Sequence, residues 1–176
     1  MTTAYARPAR ALHWIVALLV LGMIPVGLVM VQEGLPRPVQ NTLFILHKNT
    51  GVLVLLIMVV RVAYRASNPP PPRQPLPAWQ ERAAAANHAL LYLLLLLMPI
   101  SGYVRVRAGD FPIEALDALG LPTLVPVSEP LAEFAKATHY YAGWALMALV
   151  GIHIAAALHH ALVRRDGILS RIWPPA

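Results

Sequence analysis

The stretch that decides the fold is KATHYYAGWALMALVGIHIAAALHH, from Lys136 to His160. From Ala137 to Val163 there is no Asp, Glu, Lys or Arg. About 20 helical residues cross a hydrocarbon core at 1.5 Å each, so this run reads as a transmembrane helix. It nevertheless carries His139, His153, His159 and His160. A polar group in lipid is costly unless it hydrogen-bonds, titrates or coordinates something, so these imidazoles are the feature to explain.

Working outward, Ala11 to Val31 and Ala83 to Val104 are also free of charge. A further span at about 41–64 is interrupted up to Val60 only by Lys48, close enough to its start for the side chain to snorkel to the interface. The expected spans are thus about 11–31, 41–64, 83–104 and 137–163. The first is too long, and lacks the small-residue cleavage site, to read as a signal peptide. The alternation of a barrel strand is absent, and backbone groups in lipid must be satisfied within each segment. The fold class is therefore all-α, a four-helix transmembrane bundle in a single membrane domain, 1–176. Residues 66–82 include the run Pro69 to Pro72 and read as an extended linker. Residues 105–136 hold five of the eight acids, with Phe111, Ile113, Leu116 and Leu119 spaced for a short surface helix.

Composition agrees with a membrane chain: 58% of the 176 residues are hydrophobic and 12% charged. The net charge of +6 does not indicate nucleic-acid binding, because the basic residues flank apolar runs instead of gathering on one solvated face. With no cysteine, disulfides, thiolate-bound clusters and covalent c-type haem are excluded. Charge also sets orientation. The face with the termini and the proline-rich linker carries Arg7, Arg10, Arg61, Arg65, Arg73, Arg82, Arg164, Arg165 and Arg171 against Glu81 and Asp166, a balance of +7. The opposite face carries Arg37, Lys48, Arg105, Arg107 and Lys136 against six acids, a balance of −1. Both termini are expected to be cytoplasmic, with 105–136 as a periplasmic loop.

The histidines fall at two depths. His13 begins span one on the cytoplasmic side, and His47 lies near the outer end of span two. Span four begins outside with His139 and reaches His153 fourteen residues later, about 21 Å along the axis and on nearly the same face. His139 therefore matches His47 in depth, and His153 approaches His13. His160 lies a heptad further, at the cytoplasmic edge with His88, and His159 stands beside it. Zinc wants three or four protein ligands, whereas each level offers two. Haem b suits a pair of imidazoles, because the porphyrin supplies the other four nitrogens and its apolar ring fits between helices. Gly51, Gly143 and Gly151 lie near these levels and would admit a flat ring or a close helix. Trp14 and Trp144 read either as ring-packing residues or as an interfacial belt.

These residues carry a resemblance over almost the whole chain. RPARALHW at Arg7 to Trp14, LHKNTG at Leu46 to Gly51, NHALLY at Asn87 to Tyr92, PISG at Pro99 to Gly102, KATH from Lys136 and GIHIAAALHH up to His160 resemble the bacterial cytochrome b561 family of di-haem b inner-membrane proteins. The resemblance implies two haem b groups, His13 with His153 on the inner one and His47 with His139 on the outer. It also implies a superoxide oxidase activity, with an electron taken from superoxide at the periplasmic face and ubiquinone as acceptor. Lys136 and Arg105, with Lys48 and Arg107, would then form a basic rim steering the anion. His160 and His88 become candidates for the quinone site, since histidine titrates nearest neutrality. The alternative is a cytochrome b electron-transfer subunit working between the quinone pool and a periplasmic redox partner. Membrane lipid surrounds the chain in either case.

Overall fold

The computed structural model describes residues 4–72 and 75–173; Arg73, counted above on the basic face, lies outside the described residues. Helices α1 (Arg7–Val29), α2 (Arg37–Ser67), α3 (Ala78–Ala108), a short α4 (Glu114–Ala118) and α5 (Glu129–Leu158) follow in order. No strand occurs among the described residues, and four helices are long and apolar enough to cross a membrane. Pro8, Pro38 and Pro130 sit in the first turns of α1, α2 and α5, where a missing N–H breaks no helical bond. Ser128 caps α5, its Oγ accepting from the Leu131 N–H. The helices α2 and α3 run beyond their apolar segments into charged residues, because a helix is continued by backbone hydrogen bonds and not by apolarity.

The α3 helix packs along α5, α1 along α2, and α2 along α3. Each long helix gives two residues, three or four apart, to one interior layer: Val16 and Val20, Val54 and Met58, Leu91 and Leu94, Ala142 and Leu146. That spacing keeps one narrow stripe of each helix inward. Leu18, Leu56, Leu93 and Ile152 are exposed on the outside, where lipid covers them.

At one end of the bundle the N-terminus, the proline-rich linker and the C-terminal segment are tied together. The Tyr5 N–H donates to the Arg171 carbonyl at 3.0 Å, and the Arg171 guanidinium donates to the carbonyls of Pro71 and Pro72. Trp14 Nε1 donates to the Ile172 carbonyl at 2.8 Å. We call this the terminal end and the opposite one the α4 end.

At the α4 end, Lys48 Nζ donates to the Pro112 carbonyl at 2.6 Å and to Glu114 at 2.7 Å, so its charge meets α4 instead of the headgroup region expected from the sequence. Asn49 donates to Glu114, and its Oδ1 accepts from the Ala115 N–H. Arg107 bonds Asp117, while Ile113, 1% exposed, plugs the gap beneath. The Arg107 hydrogen bond holds the Asp117 carboxyl below its ordinary range. Burial pulls Glu114 the other way, but its bonds from Lys48, its own backbone and Asn49 win, and it too is lowered. Groups with lowered pKa stabilise the fold above their ordinary values, 4.5 for Glu114 and 3.8 for Asp117, and that stability is lost as pH falls through the lowered ones. The α4 amides are therefore expected to be protected from hydrogen exchange at pH 7 and to lose protection as the pH falls below the ordinary carboxylate range, before the long helices do. Equal protection above and below that range would show that the ion pairs do not hold α4.

Candidate functional site

A single period organises the bundle interior. Fourteen residues after His13, His47, His88 and His139 stand Gly27, Arg61, Gly102 and His153. Fourteen residues are almost four turns, so each helix presents both members of its pair on nearly one face, about 21 Å apart. Because successive long helices alternate in direction, the eight positions sort into two levels. Gly27, His47, Gly102 and His139 lie towards the α4 end, and His13, Arg61, His88 and His153 towards the terminal end.

At the α4-end level the rings of His47 and His139 face each other, centroids 6.1 Å apart. Two metal–imidazole bonds of roughly 2 Å each, with the ring radii added, span about this distance. His139 Nδ1 lies 2.9 Å from the Met98 carbonyl, which only accepts, so Nδ1 carries the proton and Nε2 keeps a free lone pair. Ser101 Oγ lies 3.3 Å from the same Nδ1. Among the described residues His47 Nδ1 is buried with no hydrogen-bond partner, an orphaned nitrogen that fits a histidine able to hold a metal. A Cβ at Gly27 would stand 3.0 Å from His47 Cε1, and one at Gly102 would stand 3.2 Å from His139 Cε1. The glycines that seat the rings are thus Gly27 and Gly102. Gly51 and Gly151 meet nothing within 4 Å, and Gly143 only reaches Met98 Cε at 3.5 Å. The fourteen-residue period is the sequence signal that finds the right pair. Gly27→Leu or Gly102→Leu is expected to push a histidine off its position and lower cofactor content at this level, while Gly51→Ala leaves it intact. Unchanged optical spectra in both leucine variants would refute that role.

At the terminal level His13 faces His153 at 6.2 Å between centroids, and His88 approaches His153 more closely, at 5.4 Å. His88 therefore stands against the His13–His153 pair, deeper than the edge position expected for it beside His160. The Arg61 guanidinium donates to His13 Nδ1 at 2.9 Å and lies 5.2 Å from the centre of the Tyr92 ring. A neutral His13 then carries its proton on Nε2, and ligating a metal through Nε2 would require that proton to leave to water, with the Arg61 guanidinium balancing the imidazolate that remains. Trp14 stands edge-on to His13 and to Trp173, whereas Trp144 is exposed beside Tyr140.

The chain widens to a π-helical turn at His159–Arg164, where His160 Nδ1 meets Asp166 Oδ2 at 2.6 Å. His159 is exposed, its ring 6.0 Å from that of His160. Of the four basic residues expected to form an outer rim, three are neutralised in place. Lys136, with its side chain 52% exposed, pairs with Glu133, Lys48 with Glu114, and the buried Arg107 with Asp117. Among the described residues Arg105 makes no ion pair, and its charge acts on both His47 and His139.

Paired imidazoles facing one another at two depths inside four membrane helices define a class, the helical membrane proteins that hold a flat cofactor between helices by histidine. The prokaryotic cytochrome b561 family matches residues 4–175, and the chain belongs to that family. It is 34% identical over 171 residues to "Cytochrome b561 homolog 2" of Escherichia coli (strain K12), a match covering 96% of this chain and 90% of the relative. "Cytochrome b561 homolog 1" of the same organism is 30% identical over 170 residues, 93% of each chain. The "Probable superoxide oxidase CybB" of Yersinia pestis is 28% identical over 164 residues, 93% of this chain and 92% of the relative. The chain is accordingly a haem b protein of the bacterial inner membrane, multi-pass, with an oxidoreductase role in electron transport.

Proposed function

We propose that the chain is a superoxide:ubiquinone oxidoreductase carrying two haem b groups, one held by His47 and His139 and the other by His13 and His153, with both termini cytoplasmic. The observation that carries this reading is the recurrence of one arrangement at two depths, two facing imidazoles about 6 Å apart. Haem b would supply one-electron chemistry when bound, and His47 with His139 and His13 with His153 would each hold its iron from two sides, which would suit electron passage and not oxygen binding. The residues provide the rest. Met98 and Ser101 fix His139, Gly27 and Gly102 seat the α4-end rings, and Arg61 orients His13. Arg105 is the basic residue best placed to attract a small anion, since Lys136 is committed to Glu133. At the cytoplasmic end His160 serves the quinone, and His88, standing against His153, supports the inner pair. The relative named a probable superoxide oxidase supports the choice of donor.

The test is stopped-flow mixing of the purified, haem-loaded protein with superoxide, with and without a short-chain ubiquinone. Haem is expected to be reduced far faster than superoxide dismutes unaided, and reoxidised when quinone is present. Reduction no faster than the background overturns the reading.

The second reading, an electron-transfer subunit for a periplasmic partner, is favoured by the exposed Phe111, Leu119, Leu124 and Val127 between α3 and α5. Its mark would be a redox partner recovered in stoichiometric amount with the native protein.

A further inference from the structure

The C-terminal turn contains a side-chain pair that the haem levels do not use. After the π-helical turn, Arg165 adopts φ 50° and Gly167 φ 77°, folding the chain back so that Asp166 meets His160. A left-handed non-glycine residue is held against its own preference, and such strain concentrates at functional positions. The contact is sheltered, with side-chain exposures of 15% for His160 and 21% for Asp166. Asp166 is itself fixed: the Ile168 N–H donates to Oδ1 at 3.2 Å, and Arg164 Nε lies 3.3 Å from Oδ2. Arg164 is in turn held by Gln80 at the start of α3. The turn also borders an open surface hollow lined by Ala161, Arg165, Gly167, Leu169, Ser170 and Trp173, beside the pair and not containing it.

A carboxylate only accepts, so His160 Nδ1 donates to Asp166 and the working nitrogen is Nε2. Burial raises the Asp166 pKa, yet its bonds from His160 and the Ile168 backbone win and hold it below the ordinary range, so it stays the acceptor. A histidine whose tautomer and direction are set by a buried carboxylate is the standard arrangement for a proton donor and acceptor.

We propose that Asp166 is the positioning residue of a proton-donating His160–Asp166 pair in the quinone site, an inference that rests on the assignment of His160 to quinone reduction. In the balanced reaction, two superoxide anions each lose one electron and leave as dioxygen. The quinone takes both electrons and two protons to become the hydroquinone. His160 gives one of these protons as the imidazolium, its Nδ1–H kept on Asp166. As one O–H bond forms at a quinone oxygen the Nε2–H bond breaks, water at that end reprotonates Nε2, and the second proton comes from the same water. Asp166 remains a carboxylate throughout.

The experiment compares full-length, haem-loaded Asp166→Asn, Asp166→Glu and His160→Ala with the unaltered chain. Haem content, superoxide-driven haem reduction, and kcat and KM for a short-chain ubiquinone are measured in H2O and D2O. Asp166→Asn is expected to keep haem content and the haem-reduction rate, to lower kcat about tenfold or more at nearly constant KM, and to enlarge the solvent isotope effect. Asp166→Glu is expected to restore part of kcat. If His160→Ala slows quinone reduction while Asp166→Asn does not, the pair is refuted and the quinone reading stands. If His160→Ala itself has normal quinone kinetics, the quinone reading fails and the pair fails with it. If Asp166→Asn loses haem or changes KM and kcat together, the aspartate is a structural tether and the proposal is overturned.

Discussion

Alanine in place of His139 or of His47 is expected to leave about one haem per chain instead of about two, with the remaining spectrum the same in both variants. His13→Ala and His153→Ala should give the complementary spectrum, again matching each other. The reason is geometric: each pair faces across one level, so a haem held there would lose one of its two protein ligands with either ring. His88 sharpens the test, because its ring lies nearer to His153 than that of His13 does. His88→Ala should keep both haems. Should it instead erase the same spectrum as His153→Ala, with His13→Ala leaving that spectrum in place, the pair at the terminal level would be His88 with His153. Optical and paramagnetic resonance spectra of the five variants decide the matter. If variants at different levels lost the same haem, the two-level arrangement would be wrong.

The second large effect is expected at His160. His160→Ala should preserve both low-spin haem signals and superoxide-driven haem reduction, while slowing reoxidation by ubiquinone on the order of 10²-fold, the usual worth of a positioned proton donor. Haem loss in this variant would show that the π-helical turn supports the inner level structurally instead. The separation is testable because His160 bonds Asp166 and not the facing rings of His13 and His153.

The four helices were legible because a span in lipid must be long, apolar and internally hydrogen-bonded, and that constraint is written residue by residue. The pairing of His139 with His153 along one face was legible for the same local reason, the helical period. Gly27, Arg61 and Gly102 obey that period as well, but a glycine or an arginine at a given phase has no meaning until a ring on another helix arrives beside it. Proximity in sequence pointed instead to Gly51, one turn from His47, where an added Cβ would meet nothing within 4 Å among the described residues. The ion pairs within the basic rim were likewise beyond the reach of the sequence. Net charge on a face is additive in sequence, but whether Lys48, Arg107 and Lys136 are available depends on Glu114, Asp117 and Glu133, two of them brought in by the chain folding α4 back over the bundle.

By itself, then, the sequence determined that this is a cysteine-free helical membrane bundle with imidazoles at two depths, since hydropathy, helical period and ligand chemistry act along a single segment. Only the tertiary structure decided which glycines face the rings, that His88 stands against His153, that Arg105 keeps its charge free, and that Asp166 turns back onto His160. Those are distances between helices or across a turn, fixed by packing and by left-handed backbone at Arg165 and Gly167, and no periodicity along one helix encodes them.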